Sequence, residues 1–289
     1  MNGRRLLVVP REEEFSPGKV AQDRAIIQRT AALLEHAGFQ VQPVVADEFF
    51  EIGPSWEFQL VLTMCQGERA LARLSAFEAS GVPTVNRAAA IRSCYRDRMG
   101  GVLASAGVPV PYGMLVPTQK EPRAEAISRF DFSAGVYVKR GDLHALTADD
   151  VSRIANPDEL AAKLASFNAR AIGLAYLQQG VPGRVVKFYG VTGEDFFRLA
   201  GAPPWLDRTR SRTLEAAARR AAAALGLEVW GGDAVLSANK GNGEGDPPGF
   251  HIIDFNDWPS FSSVLEEAAS AIARRCLKLV GTRNRPQGK

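Results

Sequence analysis

An apolar run that ends in oxygen-bearing side chains is the most informative feature of this sequence. In the segment 252–262, Asp254 and Asn256 are two residues apart and precede a turn at Pro259. Alternate residues of a strand point to the same face, so the two side chains are predicted to lie side by side. A carboxylate and an amide oxygen are hard ligands, of the kind that suits Mg²⁺ bound to nucleotide phosphates.

A further acid occurs one strand upstream, in the segment 227–236. Asp233 lies there after two glycines in a similar apolar setting. Two adjacent antiparallel strands would present Asp233, Asp254 and Asn256 to one metal cluster. Asp and Asn also favour turns, so either motif alone fits a simple strand-end turn. The two motifs together, with the lysines described next, favour a metal site.

Two lysines belong to strand-like segments. Lys139 ends the apolar segment 135–139 and precedes a glycine-containing loop. A lysine there can bind nucleotide phosphates as a point charge while the loop covers them, although a solvated strand-end lysine is the commoner case. Lys187 lies inside the apolar segment 185–191. A lysine in such a strand usually has an anionic partner or faces a cleft.

Length and composition describe a globular protein. The chain has 289 residues, 46% of them hydrophobic, which is enough for one large domain or two to three modest ones. The net charge of +3 indicates no nucleic-acid partner. Three scattered cysteines fit a reducing compartment, and Cys65 is predicted to be a core thiol. The N-terminal apolar run is too short for a signal peptide, and no window is long enough to span a bilayer. We therefore expect a soluble, cytoplasmic protein with no membrane partner.

Periodicity predicts an α/β fold that becomes α+β toward the C-terminus. Strands at 6–9, 39–45 and 60–64 alternate with helices at 22–37 and 69–80, which predicts a small domain with a parallel sheet up to about residue 86. Further helices are predicted over 88–106, 157–165, 212–225 and 264–280, strands over 135–139, 172–177 and 185–191, and a hairpin over 236–253 with a Gly-rich tip at 239–249. The predicted units are residues 1–90, 91–175 and 176–289.

Common catalytic motifs are missing from the sequence. It contains neither a Walker-type phosphate loop nor a dinucleotide-binding glycine fingerprint after the first strand, and nothing indicates a Ser/His/Asp or Cys/His nucleophile.

From residue 86 onward, the order of the motifs resembles the ATP-grasp superfamily, including its ribosomal-protein glutamate ligases and glutathione synthetases. The residues that carry the resemblance are Asn86, Asp97-Arg98, the segment 106–111, Lys139, the segment 178–181, Lys187, the segment 225–227, Gly232-Asp233 and Asp254-Phe255-Asn256.

The resemblance implies that ATP and Mg²⁺ are held between two small sheets. Lys139 would contact the phosphates, and Asp233, Asp254 and Asn256 would bind the metal ions. The hinge beside adenine would consist of Gln178, Gln179, Gly180 and Val181. The segment 256–260, which includes Ser260, would help to seat the acceptor substrate.

The sequence departs from the family pattern at several positions. Arg98 stands where the family usually has Lys, and a phosphate contact is expected of it. Asp254 replaces the commoner Glu, and Ser260 the commoner Gly. The phosphate-covering loop is more charged than expected, so Asp142 and His144 are expected to meet substrate as well as to cover ATP.

Most members of the superfamily activate a carboxylate as an acyl phosphate, which an amine or a thiol then attacks. The resemblance therefore implies an ADP-forming ligase for small-molecule or peptide carboxylates and amines. Such an enzyme works by positioning and by charge neutralisation. The predicted catalytic residues are Lys187 and Arg198, with Arg198 steadying the acyl phosphate.

Two alternatives stay open at the level of sequence. The inositol trisphosphate kinase branch of the superfamily places a lysine and a histidine where Lys187 and His144 stand. A nucleotide-binding regulatory protein without turnover is the second alternative. Specificity is expected in the loops 11–18 and 64–67. Whether the chain forms a homodimer is also left open.

Overall fold

The computed structural model describes residues 4–55, 57–237 and 249–283. Its strands are β1 (Arg4–Val9), β2 (Phe39–Pro43), β3 (Phe58–Thr63), β4 (Thr84–Val85), β5 (Gly113–Pro117), β6 (Val136–Arg140), β7 (Val151–Ile154), β8 (Leu174–Gln179), β9 (Arg184–Val191), β10 (Phe197–Ala200), β11 (Val229–Leu236) and β12 (Phe250–Asp257). Its helices are α1 (Val20–His36), α2 (Glu68–Ala79), α3 (Ala88–Ser93), α4 (Arg96–Ser105), α5 (Ala124–Ile127), α6 (Pro157–Ala169), α7 (Arg208–Leu225) and α8 (Leu265–Arg283).

The first sheet has the order β2-β1-β3-β4 and is parallel throughout, as the sequence predicts. β1 is buried on both faces: Leu6 and Val8 pack in one core with α1 and α8, and Leu7 and Val9 pack in a second core with α2. A short, continuous apolar strand is typical of such a two-sided position in a parallel sheet. The sheet places the loops after β1 and β3 at the same edge.

The second sheet has the order β5-β8-β6-β7, and its paired strands are antiparallel. α6 covers one face, where Val136, Val138 and Leu177 pack with it in an apolar core. β5 and β7 were not predicted because both are short edge strands. β5 is also enclosed by prolines, which weaken a strand signal.

The third sheet has the order β10-β9-β11-β12, and its paired strands are antiparallel. The alanine-rich face of α7 packs on one side and α8 on the other. Gly190 lies under the Trp230 ring, and a Cβ atom there would come within 2.1 Å of it. The glycine therefore admits the close packing of strand and indole in this core.

The pairing of β12 with β11 contains one irregularity. Asp233 is opposite Asp254, but the next residue of β11, Ala234, is opposite Ile252, so Ile253 is an extra residue. Such a bulge reverses the facing of the residues that follow it. Ile252 and Phe255 are consequently both buried in the core, while Asp254 is turned to the opposite face.

The helix predicted over 88–106 is two helices, α3 and α4. The chain turns at Tyr95, which has extended backbone angles. The Tyr95 side chain is buried, and its hydroxyl donates a hydrogen bond to the Gln66 carbonyl. Burial of this tyrosine against the first sheet explains the break, and the new helix begins at Arg96.

The other predicted helices and strands are present, with ends that differ by a few residues. The predicted hairpin consists of β11 and β12; positions 239–248 of its tip lie outside the described residues. Cys65, Cys94 and Cys276 are buried free thiols, as expected for Cys65. None of the helices in the described ranges is long and apolar enough to cross a membrane.

A division of the chain into three units would follow the three sheets. We propose the units 1–90, 91–175 and 176–289. The last boundary lies inside β8, and moving it to the end of that strand would keep the second sheet whole.

Candidate functional site

A row of charged side chains crosses the third sheet. Lys187 on β9, Asp233 on β11 and Asp254 on β12 are direct partners in the strand registers. The Nζ atom of Lys187 donates a hydrogen bond to Oδ1 of Asp233 over 3.0 Å. Asn256, two residues beyond Asp254, lines a cavity that is also lined by Lys187, Asp233 and Asp254. The predicted metal residues and Lys187 are therefore brought together.

Arg96 lies on the other side of this row. Its guanidinium is buried, with 3% of the side chain exposed, and its Nη2 atom is 3.7 Å from Oδ2 of Asp254. Burial would raise the pKa of Asp254, but the charges of Arg96, Lys139 and His144 hold that pKa below its ordinary value. Asp254 is consequently a carboxylate surrounded by cations.

The pKa of Asp233 is shifted in the opposite direction. Burial raises this pKa, the Asp254 carboxylate adds to the effect, and Lys187 only partly offsets it. Two carboxylates directly opposite each other on paired strands repel. A cation bound between the two carboxylates would offset this repulsion.

Lys139 and Gln178 project from the second sheet toward the third. The Lys139 Nζ and Gln178 Nε2 atoms both donate to the Ile253 carbonyl, over 3.1 and 3.2 Å. Burial lowers the pKa of Lys139 to about 8, and the nearby Arg96 contributes in the same direction. The bulge at Ile253 thus supplies an acceptor that joins the two sheets.

Two cavities meet at this row. One, of about 320 Å³, lies between the second and third sheets; it is termed the nucleotide cavity because the sequence resemblance implies a nucleotide there. The other, of about 330 Å³, lies between the third sheet and the loop after β1; it is termed the acceptor cavity because the resemblance implies an acceptor substrate there. Arg96, Asp233 and Asp254 line both cavities.

The nucleotide cavity has an apolar end and a polar end. Its apolar lining is suited to a flat ring and consists of Tyr137, Val151, Val181, Val185 and Val235. Lys139 and Gln178 are at the polar end, and Gln179 also lines the cavity.

The segment after β8 is held against the loop before β6. The Gln179 side chain donates to the carbonyls of Asp131 and Gly135, and the Gly180 amide donates to the Gly135 carbonyl over 2.8 Å. A Cβ atom on Gly180 would lie 2.5 Å from that carbonyl oxygen. Of the predicted hinge residues, Gln178, Gln179 and Val181 line the cavity, and Gly180 is held beside them by this close backbone contact.

Of the two predicted residues in the loop after β6, one lines a cavity and the other does not. His144 lines the acceptor cavity, and its Nε2 atom is 3.8 Å from Oδ1 of Asp257. Asp142 lines neither cavity, because Arg140 binds both of its carboxylate oxygens over 2.7 and 2.9 Å. Its position suits a role in holding the loop.

Asp150 anchors the end of the same loop. Its carboxylate is fully buried and contacts Arg140 and Arg170, and it accepts the amides of Leu146 and Thr147. Burial alone would raise the pKa of Asp150, but these hydrogen bonds and charges lower it to about 2. Asp150 thus stabilises the folded loop in its ionised form.

We predict that Asp150→Asn loses about 2 kcal/mol of unfolding free energy near neutral pH. Because the folded-state pKa is depressed, this contribution is present above the unfolded pKa of about 4 and disappears as the pH falls toward about 2. Urea unfolding followed by circular dichroism at several pH values would measure it. A difference between wild type and variant that does not shrink with acid would contradict the explanation.

The loop after β12 is fixed by two buried aromatic residues. Trp258 and Phe261 have positive φ angles of 44° and 51°, which bulky residues rarely adopt, and their side chains are fully buried. Arg11 donates to the Trp258 carbonyl over 2.7 Å. Ser260 lines the acceptor cavity, and its hydroxyl is 3.1 Å from that of Ser262. Such strain, held by packing, is common at binding sites.

Two predicted residues lie away from both cavities. Arg98 is half-exposed and 3.8 Å from Asp97. It is two residues after Arg96 on α4, and a helix turns by about 200° over that distance, so the two arginines occupy opposite faces. Arg198 is paired with Glu267 on α8 through a hydrogen bond of 2.8 Å.

The sequence pattern did not single out Arg96, and it covered Arg11 and Gln66 only as members of two loops. Arg11 and Gln66 lie in loops where specificity was expected, and the structure brings both to the acceptor cavity beside Asp257. The available signal for Arg96 was its place two residues before the predicted Arg98. Only the break at Tyr95 determines which arginine faces inward.

The oxygen atoms of the row fit Mg²⁺. Two opposed carboxylates and a neighbouring amide are hard donors, and Mg²⁺ is typically held by one or two carboxylates together with phosphates and water. Among the described residues, no group of three or more His, Cys, Asp or Glu side chains could hold a metal alone. Asp233, Asp254 and Asn256 therefore suit a metal that arrives with a phosphate.

A parallel α/β sheet followed by two antiparallel sheets that enclose a cleft is the ATP-grasp fold, and the chain has this fold. In particular, its fold is similar to that of the D-alanine–D-alanine ligases. The chain matches no protein-family model, and no curated protein matches it in sequence.

Three solved structures illustrate the similarity. The D-alanine–D-alanine ligase of Bacillus anthracis complexed with ATP has a TM-score of 0.70 at 11% identity, covering 97% of this chain and 100% of that one. The corresponding Coxiella burnetii enzyme has a TM-score of 0.72 at 13% identity, with 97% and 96% covered. The VanG D-Ala:D-Ser ligase of Enterococcus faecalis has a TM-score of 0.68 at 14% identity, with 96% and 99% covered.

Proposed function

We propose that the chain is an ATP- and Mg²⁺-dependent, ADP-forming ligase that joins a carboxylate to an amine through an acyl phosphate. The observation that carries the proposal is the position of Asp233, Asp254 and Asn256 next to two cavities of similar size. A reaction between ATP and a second substrate needs such a junction. The fold similarity to ligases supports the same reaction class.

ATP is proposed to bind in the nucleotide cavity. The adenine would lie at the apolar end beside Val181 and near Gln179 and Gly180, and Lys139 would bind the phosphates at the polar end. A buried lysine with a lowered pKa becomes fully charged when phosphate oxygens replace its carbonyl partner. Gln178, which shares that carbonyl, would orient the same region.

The metal-binding residues are proposed to be Asp233, Asp254 and Asn256. When bound, Mg²⁺ would supply charge neutralisation at the transferred phosphoryl group. Lys187 would leave Asp233 and bind the transferred phosphate or the acyl phosphate, since its side chain is 58% exposed and free to move. Arg96 lines both cavities, which supports the proposal that it, in place of Arg198, would steady the acyl phosphate.

The acceptor cavity is proposed to hold the carboxylate and the amine. Ser260 and the loop that carries it would seat the acceptor, and Arg11 would fix that loop through the Trp258 carbonyl. The N-terminal sheet would therefore contribute to specificity through the loop after β1.

The first test is ADP release from Mg-ATP with two substrate panels. One panel pairs carboxylic acids with amines, and the other contains inositol phosphates. ADP that forms only when acid and amine are both present would support the ligase, and mass spectrometry would identify the product. ATP binding without ADP release on either panel would contradict the ligase and favour a regulatory protein.

A kinase for a phosphorylated small molecule is the second candidate. The observation that favours it is the set of basic residues around the acceptor cavity: Arg11, Lys19, Arg96, His144 and Lys187. Four aspartates line the same cavity and offset most of this charge: Asp23, Asp233, Asp254 and Asp257. ADP formed with an inositol phosphate alone would establish the kinase instead.

A further inference from the structure

Buried polar atoms without a hydrogen-bond partner are concentrated in residues that line the acceptor cavity. Within the described ranges there are seven such side-chain atoms, and six belong to residues that line this cavity. The residues are Arg11, Arg96, His144, Asp257 and Trp258. The seventh atom, Oε1 of Glu194, is 2.6 Å from the Lys278 ammonium. Because buried polar groups normally have partners, the concentration indicates a polar ligand.

The Asp257 carboxylate has an oxygen atom that can accept further hydrogen bonds. Its side chain is fully buried; Oδ1 accepts a hydrogen bond of 2.9 Å from Gln66, and Oδ2 has no partner. A buried carboxylate that lacks a full set of donors favours a cationic ligand. An ammonium group supplies both a charge and donors.

His144 lies near the same carboxylate. Its Nε2 atom is 3.8 Å from Oδ1 of Asp257, and neither ring nitrogen has a hydrogen-bond partner. This separation is longer than a hydrogen bond, and a nitrogen atom beside the pair, off the line that joins the two atoms, can lie within about 2.7–3.2 Å of both. A small movement of the His144 side chain would therefore admit one ammonium nitrogen shared by the carboxylate and the imidazole.

The loop around His144 is held firmly enough to keep this geometry. Arg96 donates to the Leu143 carbonyl over 3.3 Å, and Asp150 accepts the amides of Leu146 and Thr147. The imidazole is thus fixed between two anchored stretches of backbone. A positioned histidine of this kind can act as a proton acceptor.

We propose that Asp257 binds the ammonium group of the acceptor substrate and that His144 removes one of its protons, which makes the nucleophile an amine and not a thiol. The inference rests on the proposed ligase function and deepens it. His144 would be a catalytic residue, and Gln66 a positioning residue that orients Asp257.

Nε2 of His144 takes one proton from the ammonium group, and the freed nitrogen lone pair attacks the carbonyl carbon of the acyl phosphate. The C–N bond forms, and the C–O bond to phosphate breaks. The leaving phosphate takes the second proton from the new amide nitrogen. The imidazolium then releases its proton to solvent, so one proton is released for each amide formed.

The first experiment detects ammonium binding without any substrate. The chain has three histidines, so ¹⁵N-histidine labelling gives few ring signals, and His144→Gln assigns the relevant one. With methylammonium chloride as the probe, we expect a saturable shift of the His144 ring signals that methanol does not produce. Asp257→Asn should abolish the shift, whereas Asp195→Asn, at an exposed site outside both cavities, should preserve it.

The outcome of this titration decides the inference. A methylammonium shift at His144 that depends on Asp257 supports it. An unchanged His144 signal, or an equal shift in Asp257→Asn, overturns it. The replacement is nearly isosteric, and the asparagine oxygen can still accept from Gln66, so the variant is expected to fold.

The second experiment separates proton removal from acyl phosphate formation. With an active acid from the substrate panel, His144→Gln should form amide at least about 100-fold more slowly than wild type. Hydroxylamine is largely uncharged at neutral pH and needs no base, so hydroxamate should form at the wild-type rate. Equal losses in both assays would mean that His144 only closes the loop, which contradicts its catalytic role. If wild type forms no hydroxamate with any acid, the ligase proposal fails, and the methylammonium titration still judges the binding of an ammonium group.

Discussion

Asp254→Asn is expected to reduce ADP formation at least about a thousandfold, equivalent to about 4 kcal/mol of transition-state stabilisation. Asp254 is opposite Asp233 on the paired strand and lines both cavities. Its replacement removes one of the two carboxylates proposed to bind the metal ion. Neutralisation of the transferred phosphoryl group would be lost with it.

Steady-state ADP release with the active substrate pair measures this effect. Asp195→Asn is the matched control, since the same chemical change is made at an exposed site outside both cavities. The buried Arg96 loses its partner at 3.7 Å in Asp254→Asn, so folding must be verified by circular dichroism. A folded variant with turnover close to wild type would exclude Asp254 from the metal site.

Lys139→Met is expected to weaken Mg-ATP binding about a hundredfold. Methionine keeps the apolar stem that packs in this buried position and removes only the ammonium group. In the free protein the ammonium donates to the Ile253 carbonyl over 3.1 Å, and phosphate oxygens would be much stronger partners. Isothermal titration calorimetry measures the affinity, with exposed Lys120→Met as the control.

The pH dependence of ATP binding gives an independent test of Lys139. Burial lowers its pKa to about 8, so the free protein loses the ammonium charge as the pH rises through that value. Wild-type affinity for ATP should therefore fall between about pH 7 and about pH 9, and binding should be coupled to proton uptake. The fall should be absent in Lys139→Met. An identical pH profile in both proteins would assign the dependence to another group.

The sequence predicts the strands that carry Asp233, Asp254 and Lys187 because each has a strong apolar pattern of its own. It cannot predict that Lys187 and Asp233 are direct partners, since the pairing of β9 with β11 depends on a long connection through α7. Strand register across such a connection is a property of the whole fold.

The positions of Arg98, Arg198 and Asp142 outside both cavities have a common origin. Each is a charged residue that the sequence pattern places near the candidate site, and each forms an ion pair with a nearby residue. Whether a side chain is free or already paired depends on neighbours from other elements. Arg96, which lines both cavities, is separated from Arg98 by a single residue and by about half a turn of α4.

The bulge at Ile253 means that the candidate metal site depends on how β12 pairs with β11 as well as on residue type. If the same residues paired as a regular strand, Asp254 would share a face with Ile252 and would point into the apolar core. A shift in pairing that removed the bulge but kept every residue would thus be more harmful than most substitutions in β12. The bulge also presents the Ile253 carbonyl to Lys139 and Gln178, so one irregular residue sets both the facing of Asp254 and the contact between the two sheets.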